Sequence, residues 1–252
     1  MTKAAFISDI HGNLEALDAV LADIDRLGLG EIYCLGDVVG YGPDPAACID
    51  RVMARCKVTI RGNHDEAIVQ GPLGFNPVAR DALEWTRARL RPRFWSPDSR
   101  RRWRFVTNLP LQHQWQQCLL VHGSPRNPTS EYIMDRDILF GPPGMFSEIF
   151  ARFDKVCLVG HTHIPGVFYE GPRFVPQRDM PDRFSFEGLK MVINVGSVGQ
   201  PRDHDARACY LTCKDGEFQF HRVGYDFTVT QNKILAHSQL DKRLAERLGE
   251  GM

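Results

Sequence analysis

The chain has 252 residues, with 31 basic and 31 acidic side chains and a formal net charge of zero. This balance removes the bulk electrostatic attraction that would make DNA, RNA or an anionic membrane the expected partner. The length suffices for one large α/β domain, and no Gly/Ser-rich or Pro-rich linker divides it. We therefore predict a single domain over residues 1–252.

The apolar segments and the cysteines favour a cytoplasmic protein. A strand-like run begins by Ala4, which leaves no room for a signal peptide, and no apolar stretch approaches membrane-spanning length. The seven cysteines are an odd number and include no Cys-x-x-Cys pair. We expect neither a disulfide framework nor a cysteine zinc site, and a reducing compartment fits best.

The first quarter of the chain predicts alternating strands and helices. Asn13 precedes a helix with one apolar face, for which it is the expected N-cap. The β-α-β-α-β order predicts parallel strands joined by right-handed crossovers. Strands are expected at residues 3–8, 32–38 and 58–63, and helices at residues 14–27 and 46–53.

Residues 71–110 interrupt this order with two predicted helices, Pro77–Leu90 and Pro97–Val106. Asn76 and Ser96 are the expected caps, each followed by proline at the first helical position. We expect this helical elaboration to lie over the edge of the functional site. Its arginines allow two interpretations, a nucleic-acid groove or a solvated cationic face, and the neutral total charge favours the second. They are Arg87, Arg89, Arg91, Arg93, Arg100, Arg101, Arg102 and Arg104.

The second half of the chain predicts two longer buried strands and then several short ones. Lys214-Asp215-Gly216 is a hairpin signal between the last two strands, so we expect the short strands to be antiparallel. The polar segment 176–187 is expected to be a loop, and residues 230–248 a C-terminal helix. Strands are expected at residues 118–122, 156–160, 167–169, 191–195, 208–213 and 217–223, with a helix around residues 145–150.

Five hydrophobic runs end in Asp, Asn or His, and this is the main functional signal. Because ligands bind at the carboxyl edge of open α/β sheets, we expect these polar side chains to meet there. A set of oxygen and imidazole donors without thiolate suits Mn, Fe, Zn, Co or Ni. The residues that end the runs are Asp9 and His11, then Asp37, then Asn63, His64 and Asp65, then His122, and finally His161 and His163.

The order Asp-x-His, Gly-Asp, Gly-Asn-His-Asp, His, Gly-His-x-His resembles the calcineurin-like metallophosphoesterase superfamily. The resemblance extends to about Arg222 and implies an α/β fold, a four-layer α/β/β/α sandwich. It also implies two divalent ions bridged by Asp37, with manganese first, and attack on phosphate by a metal-bridging hydroxide. By motif, the first ion is held by Asp9, His11, Asp37 and His163, and the second by Asp37, Asn63, His122 and His161.

The resemblance assigns the remaining motif residues to catalysis and substrate binding. His64 matches a histidine beside the leaving-group oxygen and is expected to be the general acid, with Asp65 orienting its ring. The alternative for His64 is a histidine that only hydrogen-bonds the neighbouring carboxylate. Asn13 and Arg202 are the candidate substrate contacts.

The residues that follow Asp37 narrow the range of expected substrates. Protein phosphatases of this superfamily carry Gly-Asp-x-Val-Asp-Arg-Gly, whereas residues 36–42 here read Gly-Asp-Val-Val-Gly-Tyr-Gly and lack that arginine. The sequence of this stretch is similar to that of the small prokaryotic phosphodiesterase-like branch of the superfamily. We predict hydrolysis of a small phosphate ester, with a diester ahead of a monoester. Diadenosine tetraphosphatase or protein phosphatase activity, a nuclease and a non-catalytic scaffold stay as alternatives, and the oligomeric state stays open.

Overall fold

In the computed structural model, which describes residues 3–252, two six-stranded β-sheets organise the chain. The first sheet contains, in spatial order, β3 (Val58–Thr59), β2 (Ile32–Cys34), β1 (Lys3–Ile7), β11 (Ala208–Lys214), β12 (Glu217–Val223) and β9 (Phe184–Ser185). The second contains β4 (Gln112–Trp115), β5 (Cys118–Val121), β6 (Val156–Val159), β10 (Met191–Asn194), β7 (Gly166–Tyr169) and β8 (Arg173–Pro176).

Each sheet contains three neighbouring parallel strands, whose carboxyl ends lie at the same edge. β1 pairs in parallel with β2, and β2 with β3, as the β-α-β-α-β order predicts. In the second sheet β5, β6 and β10 are parallel neighbours. The prediction of antiparallel short strands is correct for β11 and β12 but wrong for one edge of β10, which is antiparallel only to β7.

Helices cover both outer faces. Side chains of Asn13, Asn76 and Ser96 accept hydrogen bonds from backbone amides of the helices that they precede, which confirms these three predicted caps. The helices are α1 (Leu14–Arg26), α2 (Pro45–Arg55), α3 (Asn63–Gln70), α4 (Pro77–Leu90), α5 (Pro97–Thr107), α6 (Asp137–Phe140), α7 (Met145–Phe150), α8 (Phe227–Leu235) and α9 (Arg243–Glu250).

Three apolar clusters define four layers. The first joins α1 and α2 to the first sheet and includes Ile7, Leu17 and Ile49. The second lies between the sheets and includes Phe6 and Leu158, and the third joins the second sheet to α7. Both faces of each sheet are covered, so side chains on both sides of a strand are apolar. The strands therefore have continuous hydrophobic sequences. The structure confirms the predicted α/β/β/α sandwich.

Several predicted boundaries are wrong. The third strand ends at Thr59, and Asn63 begins α3, whose first turn holds the acidic residues that favour a helix start. Segment 176–187 is not only a loop, because it contains a 3₁₀ turn, Gln177–Asp179, and the edge strand β9. The single helix expected at residues 230–248 is a pair, α8 and α9.

The two C-terminal helices pack on α4 rather than on either sheet. Their cluster contains Trp85 from α4, Ile234 from α8, Leu244 from α9 and Tyr41 from the loop after β2. Several arginines of α4 and α5 have partners within the protein: Arg102 pairs with Asp50, and Arg89 stacks on Trp85. Among residues 3–252, no helix combines the length and the apolar character needed to cross a membrane.

Candidate metal centre

The candidate ligands lie where strands of both sheets end. Asp9 and Asp37 follow β1 and β2 of the first sheet, whereas His122 and His161 follow β5 and β6 of the second. These four side chains are buried, although they are polar or charged. Burying charged groups is unfavourable unless they are paired or bind a metal, so this cluster demands a partner.

Two groups of three side chains place ligand atoms within 4.8 Å of one another: Asp9, His11 and His163, and Asp37, His122 and His161. In the first, His163 Nε2 lies 3.2 Å from Asp9 Oδ1. In the second, His122 Nε2 lies 3.4 Å from Asp37 Oδ2.

Asp37 and Asn63 connect the two groups to each other and to α3. His11 Nε2 of the first group is 3.7 Å from Asp37 Oδ2. Asn63 Oδ1 lies 3.1 Å from His122 Nε2, so the amide also reaches the second group. His64 forms a third such group with His11 and Asp37, a proximity that the sequence did not predict.

The outer ring nitrogens of the histidines face backbone carbonyls. His122 Nδ1 is 2.8 Å from Leu35 O, His163 Nδ1 is 2.6 Å from Gln200 O, and His11 Nδ1 is 3.3 Å from Val39 O. An Nδ1–H donated outward directs Nε2 at the centre, which is the usual arrangement of metal-binding histidine.

His161 has the opposite orientation. Its Nε2 lies 3.2 Å from Ser130 O, which leaves Nδ1 as the inward ligand atom.

Taken together, the donor atoms of the centre fit divalent ions of the kind that imidazole and carboxylate bind.

Five of the candidate ligands have left-handed backbone conformations, with φ between 50° and 66°: Asp9, His11, Asp37, His161 and His163. Non-glycine residues rarely adopt this region, and such strain concentrates at functional sites. Backbone hydrogen bonds hold the strained turns, for example from His11 N to Asp37 O at 2.9 Å. Gly62 permits the close approach, because a Cβ there would lie 2.0 Å from Asp37 Oδ1.

The electrostatics favour a cation. Burial opposes ionisation of Asp9 and Asp37, but His163 and His122 beside them hold the pKa of each carboxyl below its usual value. Burial lowers the pKa values of His11 and His163, and it lowers that of His161 to about 3, so these imidazoles are neutral.

His122 differs from the other histidines. Burial alone would lower its pKa, but Asp37 raises it to about 9. The centre thus offers two carboxylates, three neutral imidazoles and one protonated imidazole that a metal ion would deprotonate.

His64 sits beside the centre and lines a cavity of about 620 Å³. Its ring contacts Tyr41 at 4.6 Å and Phe75 at 5.1 Å between centroids. Nδ1 has no hydrogen-bond partner among the described residues. It faces the backbone of Gly40, and a Cβ added to Gly40 would lie 2.3 Å from Nδ1. Nε2 is therefore the nitrogen that can serve chemistry in the cavity.

Asp65 does not orient the His64 ring, contrary to the sequence prediction. Its carboxylate accepts hydrogen bonds from the backbone amides of Asp37 at 2.8 Å, Val38 at 3.1 Å and Gly62 at 3.1 Å. These bonds hold the turn that presents Asp37. Asp65 is a positioning residue for the candidate metal ligand Asp37 rather than for His64.

Asn13 is also not a substrate contact. Its amide nitrogen donates to Gly199 O at 2.9 Å and Tyr225 Oη at 3.0 Å. Its oxygen accepts from Ala16 N and Thr230 Oγ1. Because the side chain is 1% exposed and both polar atoms are bonded within the protein, no group remains for a substrate.

Three aromatic residues that the sequence analysis did not select wall the centre. Tyr41 packs on His11 with 4.7 Å between centroids, and Tyr132 packs on His161 at 3.8 Å. Phe75 closes the cavity beside His64. Tyr41 was visible within the Gly-Tyr-Gly-Pro stretch, but Phe75 and Tyr132 carry no local signal.

Known proteins agree with this arrangement. The family model described as a calcineurin-like phosphoesterase superfamily domain matches residues 2–216. This chain belongs to that superfamily. Over the whole of both chains it is 35% identical to a metallophosphoesterase of known structure from Sphaerobacter thermophilus, with a TM-score of 0.82.

Two relatives are known by sequence. An uncharacterized protein of Methanocaldococcus jannaschii is 34% identical and aligns with 98% of this chain and 95% of its own length. Phosphodiesterase YfcE of Escherichia coli is 26% identical over 69% of this chain and 76% of its own length. Membership of the calcineurin-like phosphoesterase superfamily supports a hydrolase.

Proposed function

We propose that this protein hydrolyses a small phosphate ester with two divalent metal ions, manganese first and Fe, Zn, Ni or Co as alternatives. The observation that carries the proposal is the pair of buried ligand groups that meet at Asp37. Asp9, His11, Asp37 and His163 would hold one ion, and Asp37, Asn63, His122 and His161 the other. When bound, such ions supply Lewis acidity and lower the pKa of a water molecule.

The protein's own residues would bind and orient the phosphate. Two divalent ions would carry more positive charge than Asp9 and Asp37 carry negative charge. The metal-loaded centre would therefore be positive and attract an anion. The cavity beside it would hold the ester substituent, with Tyr132 and Phe75 as apolar walls. Its size suits a small organic group, which supports a small ester over a folded protein substrate.

His64 would donate a proton to the leaving oxygen. Burial lowers the pKa of His64 to about 4 in the ligand-free protein, so its resting form is neutral. A bound phosphate adds negative charge beside the ring and raises that pKa.

The test of this role is His64→Ala across leaving groups. We expect little loss with nitrophenolate and at least about 100-fold loss with alkoxides, because only the latter need protonation. An equal loss for all leaving groups would contradict the role.

A phosphodiester is the favoured substrate. The stretch after Asp37 lacks the arginine of protein phosphatases, and the phosphodiesterase-named relative supports the same choice. All seven cysteines are free thiols and six of them are buried, which supports the proposal that the protein works in a reducing compartment.

The decisive experiment is hydrolysis of bis(4-nitrophenyl) phosphate by manganese-loaded protein and by Asp37→Asn. We expect Asp37→Asn to lose at least about 1000-fold in kcat and one or both bound ions, because it removes the shared charge. Asp25→Asn, 59% exposed and paired with Arg55, is the matched control and should keep full activity. No metal-dependent hydrolysis by the wild-type protein would favour the scaffold alternative.

A further inference from the structure

Two arginines beside the centre have no acidic partner. The ion pairs of residues 3–252 include neither Arg202 nor Arg247, although both side chains are partly buried. Asp203, which follows Arg202 in sequence, pairs with Arg222, and Asp241 beside α9 pairs with Arg243. Two guanidinium groups held together without a carboxylate form a site of unbalanced positive charge.

A single neutral acceptor holds the two guanidinium groups close to each other. Arg202 Nη2 donates to Gln200 Oε1 at 2.9 Å, and Arg247 Nη1 donates to the same oxygen at 3.4 Å. Gln200 is 2% exposed, and its backbone carbonyl is the partner of His163 Nδ1. The residue that orients a candidate metal ligand therefore also gathers the arginines.

Tyr41 connects the arginines to the metal centre from the other side. The guanidinium carbons of Arg202 and Arg247 lie 5.9 and 5.5 Å from the centre of its ring. The same ring contacts His11 at 4.7 Å and His64 at 4.6 Å. The same tyrosine ring thus adjoins both arginines, a candidate metal ligand and the proposed proton donor.

The fold brings Arg247 to this place from outside the span that the superfamily model matches. Arg247 belongs to α9, which begins 27 residues after the matched span ends at residue 216. Gly251 ends α9 with φ +66° and accepts a hydrogen bond from His204 N at 2.9 Å. A Cβ on Gly251 would lie 2.6 Å from Asp205 N, so glycine permits close docking of α9 on the loop that carries Arg202.

We propose that Arg202 and Arg247 bind a second phosphate group of the substrate while the metal centre holds the phosphate that is hydrolysed. Two guanidinium forks match the charge and the several oxygens of a phosphate dianion, whereas one fork already satisfies a carboxylate. The inference rests on the proposed function and narrows its substrate to esters that carry a further phosphate.

The test compares two probes that differ by one phosphate, adenosine 3′,5′-bisphosphate and adenosine 5′-monophosphate. Each is measured as a competitor of bis(4-nitrophenyl) phosphate hydrolysis and, without turnover, by the thermal stabilisation that it gives the manganese-loaded protein. We expect the bisphosphate to bind wild-type protein at least about tenfold more tightly. Arg247→Gln should remove most of this advantage and weaken the monophosphate less than about threefold.

Arg243→Gln is the matched control, because it removes the same charge from the same helix at an exposed side chain paired with Asp241. It should leave the preference for the bisphosphate intact. Arg247→Lys keeps the charge and the aliphatic stem against Tyr41 and should retain an intermediate preference, which tests the site if Arg247→Gln does not fold.

Equal affinity of the wild-type protein for both probes, or equal weakening of both by Arg247→Gln, would overturn the subsite. Failure of the proposed function gives a different result. If no ester is hydrolysed but thermal stabilisation still shows the Arg247-dependent preference, the hydrolase assignment falls and the phosphate subsite stands.

Discussion

The imidazole of His64 is held by shape rather than by a hydrogen bond. Tyr41, Phe75 and the backbone of Gly40 surround it, and its Nδ1 has no partner among the residues described. A ring fixed by packing keeps its position without committing either nitrogen to a neighbour. This suits a group whose proposed role is to release a proton at Nε2.

Gly40→Ala should therefore disturb His64 specifically. The new Cβ would overlap the ring, and we expect a loss of about 1–3 kcal/mol of unfolding free energy beyond that of Gly28→Ala. Gly28 also has positive φ, but no atom lies within 4 Å of its Cβ position, so it controls for backbone strain. Activity on alkoxide esters should fall at least about tenfold in Gly40→Ala only. Equal effects of the two substitutions on unfolding and rate would refute this account.

His122 should release a proton when metal binds. Asp37 raises the pKa of His122 to about 9, so the ring is protonated at neutral pH in the metal-free protein. A metal ion must displace that proton, so affinity increases as pH rises towards 9. We expect a gain of up to about tenfold per pH unit between 7 and 8.5, measured by competition with a chelator of known affinity. An affinity independent of pH over this range would contradict the assignment of His122 as a ligand.

At the scale of elements, the C-terminal helices join parts of the chain that are distant in sequence. Lys233 of α8 binds Glu15 of α1 and, at 2.7 Å, Asp44 beside α2. Asn13 and Tyr225 add a hydrogen bond between the same regions. The helix pair thereby holds the loop that carries Tyr41, which shares an apolar cluster with residues of α4 and α9.

Lys233→Gln should destabilise the protein by about 0.5–1 kcal/mol at pH 7, because Lys233 is 36% exposed and solvent screens the pair. Burial alone would raise the pKa of Glu15, but hydrogen bonds from Lys233 and Thr230 lower it. A lowered pKa stabilises the fold above the unfolded value of 4.5, and this contribution is lost as pH falls through the folded value. Urea unfolding should show the wild-type advantage shrinking below about pH 4.

The control for this change is Lys242→Gln. Lys242 is 76% exposed and lies 3.7 Å from Glu246 on the same helix, so its removal should alter stability by less than about 0.5 kcal/mol at any pH. A pH-independent effect of Lys233→Gln would show that lost packing, rather than the ion pair, explains the destabilisation.

At the scale of the molecule, the candidate metal centre joins the two sheets. Asp9, Asp37 and Asn63 come from the first sheet and its connections, whereas His122, His161 and His163 come from the second. Ions bound there would cross-link the sheets as well as provide chemistry. We therefore expect metal binding and the stability of the whole sandwich to be coupled.

Removing metal with a chelator should lower the melting temperature by about 5–15 °C. A free metal concentration of about 1000 times Kd adds about 4 kcal/mol to the free energy of unfolding, and the chelator removes this contribution. Scanning calorimetry of manganese-loaded and chelator-treated protein measures the difference. Asp37→Asn should show a much smaller shift, and Asp25→Asn the full one. An unchanged melting temperature in the wild-type protein would argue against ions that bridge the sheets.

The resemblance to the superfamily implied the order of the layers, and the sequence by itself determined most helices and the candidate ligands of the centre. These features depend on local signals: caps at Asn13, Asn76 and Ser96, continuous apolar runs, and polar residues where those runs end. The parallel order of the first three strands followed from the alternation of strand and helix. The resemblance to the superfamily rested on the order of the motifs along the chain.

Only the tertiary structure decided what each polar side chain contacts. Asp65 accepts hydrogen bonds from the backbone of the turn at Asp37. Asn13 donates to Gly199 and Tyr225, which lie 186 and 212 residues away in sequence. Arg247 approaches Arg202 only because α9 docks on a distant loop. Hydrogen bonds and charge pairs act over a few ångströms in space, whatever the separation along the chain, so local sequence patterns carry no record of them.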